Sequence, residues 1–341
     1  MKPYFEISTK KVLEQYNKIK SISDIVSYSS KTNPTITSIL ENNTDCLISI
    51  HFENELVHVK DKSRVLFIGQ GWDNDRIDNL IKLGVNKFIV DNIEDLNILI
   101  DYIEKNNVNI ELLLRVKLKE MTLRTEKYFV FGMETEVVKK QIETLSQHHN
   151  VTKLGIHFHR KTQNMAEWEL EHELKDMFNE TIFKKIDYVN IGGGLPSIYS
   201  NTNIKIFDSI YKKILELKQW LNEQNVQLIS EPGRYIAGPS GKLVTKIISV
   251  HDNNIIVNAS VYNTNVDALI TSLRLLVEGE KEKGKAYVIK GLTPCSMDLF
   301  RYRVYLDNVN VGNKLVFLNA GAYNFSSDFC NLEKIETKVI E

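Results

Sequence analysis

Short apolar runs alternate with longer amphipathic stretches from about residue 10 to residue 235. The runs at 25–30, 46–50, 65–68, 87–91, 111–116, 153–159, 188–191 and 226–230 have the length and β-branched content of buried strands. Most of the intervening segments carry apolar residues at helical spacing. One starts after Asp73, a good N-cap, runs to Leu83 and stops at Gly84, which suits the C′ position. Another places Ile204, Phe207, Ile210, Tyr211, Ile214, Leu217 and Leu221 three or four residues apart. The segment after Ile50 has the weakest helical pattern. Eight strands alternating with helices predict a (β/α)8 barrel over residues 9–235.

Beyond Arg234 the pattern changes. Runs at 242–250, 255–258, 285–289, 300–306 and 314–318, separated by turn residues, predict an all-β domain over residues 236–341. Residues 1–8 belong with it: Tyr4-Phe5-Glu6-Ile7 reads as a strand that precedes the first helix and has no place inside the barrel.

The barrel makes the strand ends chemically important, because active sites of such barrels form there and phosphate commonly binds the loops after strands seven and eight. Gly192-Gly193-Gly194 follows the seventh strand and Glu231-Pro232-Gly233-Arg234 the eighth, while Lys31 ends the first and His159 the sixth. Glycines let the backbone approach an anion and turn its N–H groups toward it. A helix after the glycines is expected to add its N-terminal dipole. Arg234 offers a planar fork for phosphate. Each motif alone has a plain alternative: a flexible loop, a surface turn, a solvated lysine. Together they supply an amine for a Schiff base, two phosphate-binding turns and a carboxylate, the parts of a pyridoxal phosphate (PLP) site. The competing chemistry is a metal centre on His157-Phe158-His159, whose imidazoles share one face of a strand. No convincing further ligands accompany it in the sequence.

Composition narrows the class. The 341 residues carry a net charge of −1, so no general attraction to nucleic acid or acidic lipid is built in. Cys46, Cys295 and Cys330 are scattered and odd in number, which disfavours a disulfide framework or structural zinc. No signal-peptide or membrane-spanning pattern is present, and a cytoplasmic enzyme without nucleic-acid or membrane partners is expected.

The chain resembles the fold-type III PLP-dependent decarboxylases, the group of ornithine, diaminopimelate and carboxynorspermidine decarboxylases that shares its barrel with alanine racemase. Tyr28-Ser29-Ser30-Lys31-Thr32-Asn33-Pro34 resembles the family's Tyr-Ala-Val-Lys-Ala-Asn-Pro, which implies that Lys31 carries PLP. Gly155-Ile156-His157-Phe158-His159 matches the strand whose second histidine stacks on the pyridine ring, here His159. The resemblance further implies that Thr162, Gly192, Gly193, Gly194, Gly233, Arg234 and Tyr323 bind the cofactor, with Tyr323 in Asn319-Ala320-Gly321-Ala322-Tyr323. Glu231 matches the carboxylate at the pyridine nitrogen, which keeps that nitrogen protonated and favours decarboxylation, via a quinonoid, over racemisation. Cys295 is the implied proton donor and Asp298 a substrate contact across a two-fold homodimer.

Departures point to the substrate. Pro294 occupies the family's cysteine position and Cys295 the next; Lys161-Thr162 replaces Gly-Ser; Asn258-Ala259-Ser260 replaces Asn-Asp-Gly ahead of Tyr262. Loss of that acid disfavours a free diamine-forming substrate, and Arg274 and Arg301 are candidates to meet an anionic one. The expected activity is decarboxylation of an amino acid or an amino-carboxypropyl group on a carrier, polyamine, peptide or nucleotide, as in microcin C-type biosynthesis. Tyr262, Arg274 and Asp298 are its substrate-binding candidates. The alternatives are a free diaminopimelate, ornithine or arginine decarboxylase, and a non-catalytic relative that holds PLP or binds a partner.

Overall fold

A computed structural model describes residues 1–118 and 130–341. The chain divides into two compact units: Asn17–Leu195 with Ile206–Pro232, and Met1–Tyr16 with Pro196–Lys205 and Gly233–Glu341. Strand β1 (Tyr4–Ser8) belongs to the second unit. The first is a closed barrel of eight strands: β2 (Ile25–Ser29), β3 (Leu47–Ile50), β4 (Val65–Gly69), β5 (Lys87–Val90), β6 (Ile110–Arg115), β7 (Val151–His157), β8 (Tyr188–Asn190) and β9 (Gln227–Ser230). Neighbours pair in parallel throughout, and β2 closes the ring on β9 through Ile25↔Ile229 and Val26↔Ser230.

Local chemistry sets the helices. Asp73 accepts a hydrogen bond from the Arg76 N–H at 2.8 Å and starts the helix Asn74–Lys82, and Gly84 behind it has φ +96°. The weak pattern after Ile50 forms a 3-10 helix, Glu53–His58. The 204–221 periodicity becomes a short 3-10 turn followed by the helix Phe207–Asn222. Inside the barrel Leu66, Ile89, Leu113, Tyr188 and Ile229 pack as one buried cluster. This apolar layer fills the interior and leaves polar side chains to the carboxyl ends of the strands.

The second unit is a mixed sheet made of β1 and β10 (Gly241–His251), β11 (Asn254–Val257), β12 (Leu276–Val277), β13 (Lys281–Lys290), β14 (Leu299–Tyr305), β15 (Lys314–Leu318) and β16 (Glu336–Ile340). Its order is β12-β15-β10-β11-β13-β14, with β1 antiparallel to β10 and parallel to β16. The N-terminal run is therefore a strand of this sheet, as its isolation from the barrel pattern suggests. Phe5, Leu243, Ile255, Phe300 and Phe317 form its core, with the rings of Phe300 and Phe317 stacked at 4.5 Å. Burying each such phenylalanine stabilises the sheet by about 1.5–3 kcal/mol. Among the described residues no helix is long and apolar enough to cross a membrane.

Candidate active site at the barrel mouth

Lys31 lies in a single 3-10 turn, Ser30–Thr32, directly after β2. Asn33 then caps the helix Pro34–Asn43 by accepting from the Thr35 N–H at 3.1 Å, and Pro34 takes the first helical position, where its missing N–H costs nothing. The turn is thus pinned from both sides. Ser30 and Thr32 are buried while Lys31 is exposed at the carboxyl end of β2. The surrounding protein lowers its pKa, chiefly by removing the ammonium from bulk water; Glu231 and Glu55 oppose the shift and Arg115 adds to it.

Glu231 follows β9 and is buried. Asn190 Nδ2 donates to its Oε1 at 2.6 Å, and Asn190 Oδ1 accepts from the Gly192 N–H at 2.8 Å, so one amide ties the carboxylate to the glycine turn. Burial raises the Glu231 pKa, against the hydrogen bond from Asn190, the charges of Lys31 and Arg115 and a hydrogen bond with Ser49. His157 Nε2 stands 3.9 Å from the same carboxylate.

The glycine turn is built around His159. Gly192 and Gly194 have φ of +64° and +92°, a region that L side chains enter only under strain. A Cβ on Gly192 would lie 2.5 Å from Phe158 O, and one on Gly193 2.7 Å from Glu231 O. The Gly193 N–H donates to His159 Nδ1 at 3.1 Å, which fixes that nitrogen as the acceptor and leaves the ring proton on Nε2. Burial, with the charges of Arg115 and Lys31, lowers the His159 pKa to about 3, so the ring is neutral throughout the physiological range. Thr162 lies in the adjoining loop, where Asn164 N–H donates to Gly194 O at 2.9 Å.

Two local expectations need correction. Strand β7 stops at His157, so His159 lies two residues beyond it rather than inside it. No helix follows the glycine turn directly: after Pro196 the chain runs through irregular residues, and the next α-helix begins at Phe207. Any anion there meets backbone N–H groups without a helix dipole. Among the described residues no group of three or more histidines, cysteines and acids is placed to hold a metal ion.

Sequence reasoning passed over several members of the site. Arg115, the last residue of β6, pairs with Asp91 at 3.1 Å and lies 4.9 Å from the centre of the Phe131 ring. Its charge is felt by Lys31, His51, His157, His159 and Glu231. An arginine closing the apolar run Leu112-Leu113-Leu114 was the available signal. Ser49, Asn190 and His51 gave none, since single polar residues at strand ends are commonplace.

The remaining expected residues lie in the β unit. Gly233 and Arg234 open the short helix Arg234–Ser240. Arg234 is buried and paired through both terminal nitrogens with Asp267, at 2.6 and 3.1 Å; its Nη1 also donates to Tyr199 Oη at 3.3 Å, and the Tyr323 ring lies 4.7 Å away. Cys295 Sγ is 3.2 Å from Tyr262 Oη, and Tyr262 stacks on Phe329 at 3.8 Å. That hydroxyl contact lowers the Cys295 pKa.

Asp298 is buried, with Oδ1 accepting from the Val261 N–H at 2.9 Å and Oδ2 from the Thr293 N–H and hydroxyl at 2.9 and 2.7 Å. It is a loop staple within its own unit, tying the Val261 and Thr293 segments together. Arg301 is also buried, donating to Leu275 O at 2.6 Å and Glu280 at 2.9 Å. Arg274 is exposed.

The barrel mouth fits PLP on its own chemistry. It offers an amine with lowered pKa, a neutral imidazole, a buried carboxylate and a turn whose space only glycine leaves open. Among the described residues His51 Nδ1, Glu55 Oε2 and His157 Nδ1 are buried there without hydrogen-bond partners, and buried polar atoms left unsatisfied by the protein signal a missing ligand or water.

Comparison with known proteins agrees. The chain is similar to diaminopimelate decarboxylase of Aquifex aeolicus, 24% identical over 281 residues that cover 77% of this chain and 66% of that protein. Its fold is similar to that of lysine/ornithine decarboxylase from Vibrio vulnificus complexed with putrescine, at TM-score 0.81 and 19% identity over 99% of this chain and 94% of that one. Diaminopimelate decarboxylase from Helicobacter pylori complexed with L-lysine gives TM-score 0.82 at 18% identity, covering 100% and 92%. Residues 10–238 match the pyridoxal binding domain of the pyridoxal-dependent decarboxylases. With its amine, carboxylate, imidazole and glycine turn gathered at one barrel mouth, the chain belongs to the pyridoxal-dependent decarboxylase family.

Proposed function

We propose that the protein removes the α-carboxylate of an amino acid with PLP as cofactor. The observation that carries this is the buried Glu231 carboxylate, held by Asn190 at 2.6 Å at the barrel mouth that Lys31 and His159 also line. When bound, PLP supplies the electron sink for the pair left on carbon as CO2 departs. Lys31 provides the amine that holds the cofactor. Glu231 holds a proton at the pyridine nitrogen, a role suited to a carboxyl group whose pKa burial has raised. His159 would hold the cofactor ring, and the turn Gly192–Gly194 would offer backbone N–H groups to its phosphate. Gly233, Arg234, Tyr323 and Thr162 enter as phosphate-side residues through the family resemblance alone. Cys295, its thiol acidified by Tyr262, is the proposed proton donor to the carbon that loses CO2.

The relatives are named for diaminopimelate, ornithine and lysine, so free amino acids of that class are the first substrates to test. A conjugated substrate draws on exposed Arg274 and on Ala259 in place of an acid, while Arg301 is engaged by Leu275 O and Glu280. Carboxylated conjugates form the second series. The test is borohydride reduction of the PLP-loaded protein with peptide mapping, followed by CO2 release from both series. Pyridoxyl label on Lys31 and CO2 release support decarboxylation. Absence of label, or loss of optical activity without CO2, overturns it.

The same proposal includes a homodimer in which Cys295 serves the second copy's cofactor. Mixing inactive Lys31→Ala and Cys295→Ala subunits then restores about a quarter of wild-type activity, because half the dimers are hybrids with one intact site each. No recovery on mixing removes Cys295 from the partner's site.

A further inference from the structure

The paired registers of β2 and β3 bring an unassigned histidine to the level of Lys31. Ser27, Tyr28 and Ser29 lie opposite Leu47, Ile48 and Ser49. Two residues further along each segment come Lys31 and His51, on chains that leave adjacent strands about 4.8 Å apart. The His51 backbone is fixed: its N–H donates to Glu55 Oε1 at 2.9 Å, and the Phe52 N–H donates to the same oxygen at 3.1 Å. Among the described residues the ring is not satisfied, since Nδ1 is buried without a hydrogen-bond partner. A histidine serving only the core would have that nitrogen paired. Lys31 meanwhile has no ion pair among the described residues. The two side chains are close enough for the Lys31 charge to act on the His51 ring, and no hydrogen bond joins them to each other among the described residues.

We propose that His51 is a positioning residue for Lys31, its ring accepting a hydrogen bond from the lysine amine when that amine is not engaged by cofactor. The ring suits this work because it stays neutral: burial lowers its pKa well below the usual histidine value, and the charges of Lys31, His159 and Arg115 push the same way. A neutral imidazole accepts from an ammonium without adding a positive charge beside it. The bond favours the protonated amine, so His51 raises the Lys31 pKa, in the same direction as Glu231 and Glu55 and against burial and Arg115.

This inference rests on Lys31 being the functional amine, but its test does not need the cofactor reaction. The full-length protein freed of PLP is labelled with acetic anhydride across pH 6–10, and Lys31 is followed by peptide mapping. His51→Ala is expected to shift the Lys31 labelling midpoint to lower pH and to speed labelling about fivefold below both midpoints, the factor for one lost hydrogen bond. His51→Gln, which retains an acceptor, restores the wild-type midpoint. Urea midpoints from tryptophan fluorescence establish that each variant is folded. An unchanged midpoint in folded His51→Ala, or no rescue by His51→Gln, overturns the proposal. Borohydride label on Lys31 would still stand in that case, so the two failures are distinguishable.

Discussion

Gly192→Ala tests whether the glycine turn is shaped by contact with His159 or only by its backbone conformation. Gly71 provides the control, because its φ of +67° nearly equals the +64° of Gly192 and a Cβ there would meet nothing within 4 Å. Each alanine enters a left-handed conformation at a cost of about 1–2 kcal/mol. At Gly192 the new methyl also falls 2.5 Å from Phe158 O, 2.9 Å from His159 Nδ1 and 3.0 Å from His159 Cα. Two of these atoms are backbone and cannot rotate away, so overpacking adds about 1–3 kcal/mol. The expected losses are about 1–2 kcal/mol for Gly71→Ala and about 2–5 kcal/mol for Gly192→Ala. Trp72, Trp168 and Trp220 all lie in the barrel unit, so tryptophan fluorescence in urea reports its unfolding. The displaced imidazole should also weaken PLP binding in Gly192→Ala, measured by titrating cofactor-free protein, and leave Gly71→Ala unaffected. Equal stability losses, or wild-type PLP affinity in Gly192→Ala, would refute the contact.

Three further outcomes are expected. The native Glu231 carboxyl keeps its proton above the ordinary carboxylate range, so between its unfolded and folded pKa values the native state binds more protons and its stability falls as pH rises. Cofactor-free Glu231→Gln escapes that loss and gains on wild type as pH rises from the ordinary carboxylate range through the raised folded pKa, while binding PLP more weakly; urea midpoints that diverge the other way would contradict it. Asp267→Ala leaves buried Arg234 without its carboxylate and should cost about 3–5 kcal/mol in urea, whereas a loss under about 1 kcal/mol would mean the pair is not buried as seen. Tyr262→Phe removes the hydroxyl that acidifies Cys295, so iodoacetamide should modify Cys295 more slowly at pH 8, read by mapping its peptide against that of exposed Cys330; an unchanged rate would dissociate the two side chains.

Much of the barrel was legible because its signals are local. Apolar runs, the Asp73 cap, the Asn33-Pro34 helix start and the positive-φ glycines each act within a few residues, so they can be read along the chain. The signatures around Lys31, His159 and Glu231 shared that property. Illegible were the contacts that depend on closure. Strand β16 is exposed and carries no alternating pattern, and only the free edge of β1 makes Glu336–Ile340 a strand. The early end of β7 and the missing helix after Gly194 reflect where the chain leaves the barrel, which side-chain periodicity does not report.

By itself the sequence determined the alternation of strands and helices, the β-rich second half and the identity of the amine, the glycine turn and the carboxylate. Only the tertiary structure decided how those groups are tuned. Closing eight parallel strands brings Ser49, Asn190 and Arg115 to bear on Glu231, although they come from three different strands. It brings His51 within range of the Lys31 charge, while the folding of the β unit occupies Arg234 with Asp267 and turns Asp298 into a loop staple. The physical reason is range: backbone periodicity and turn chemistry act between near neighbours in sequence. Desolvation and hydrogen bonding act between neighbours in space, which the chain acquires only on folding.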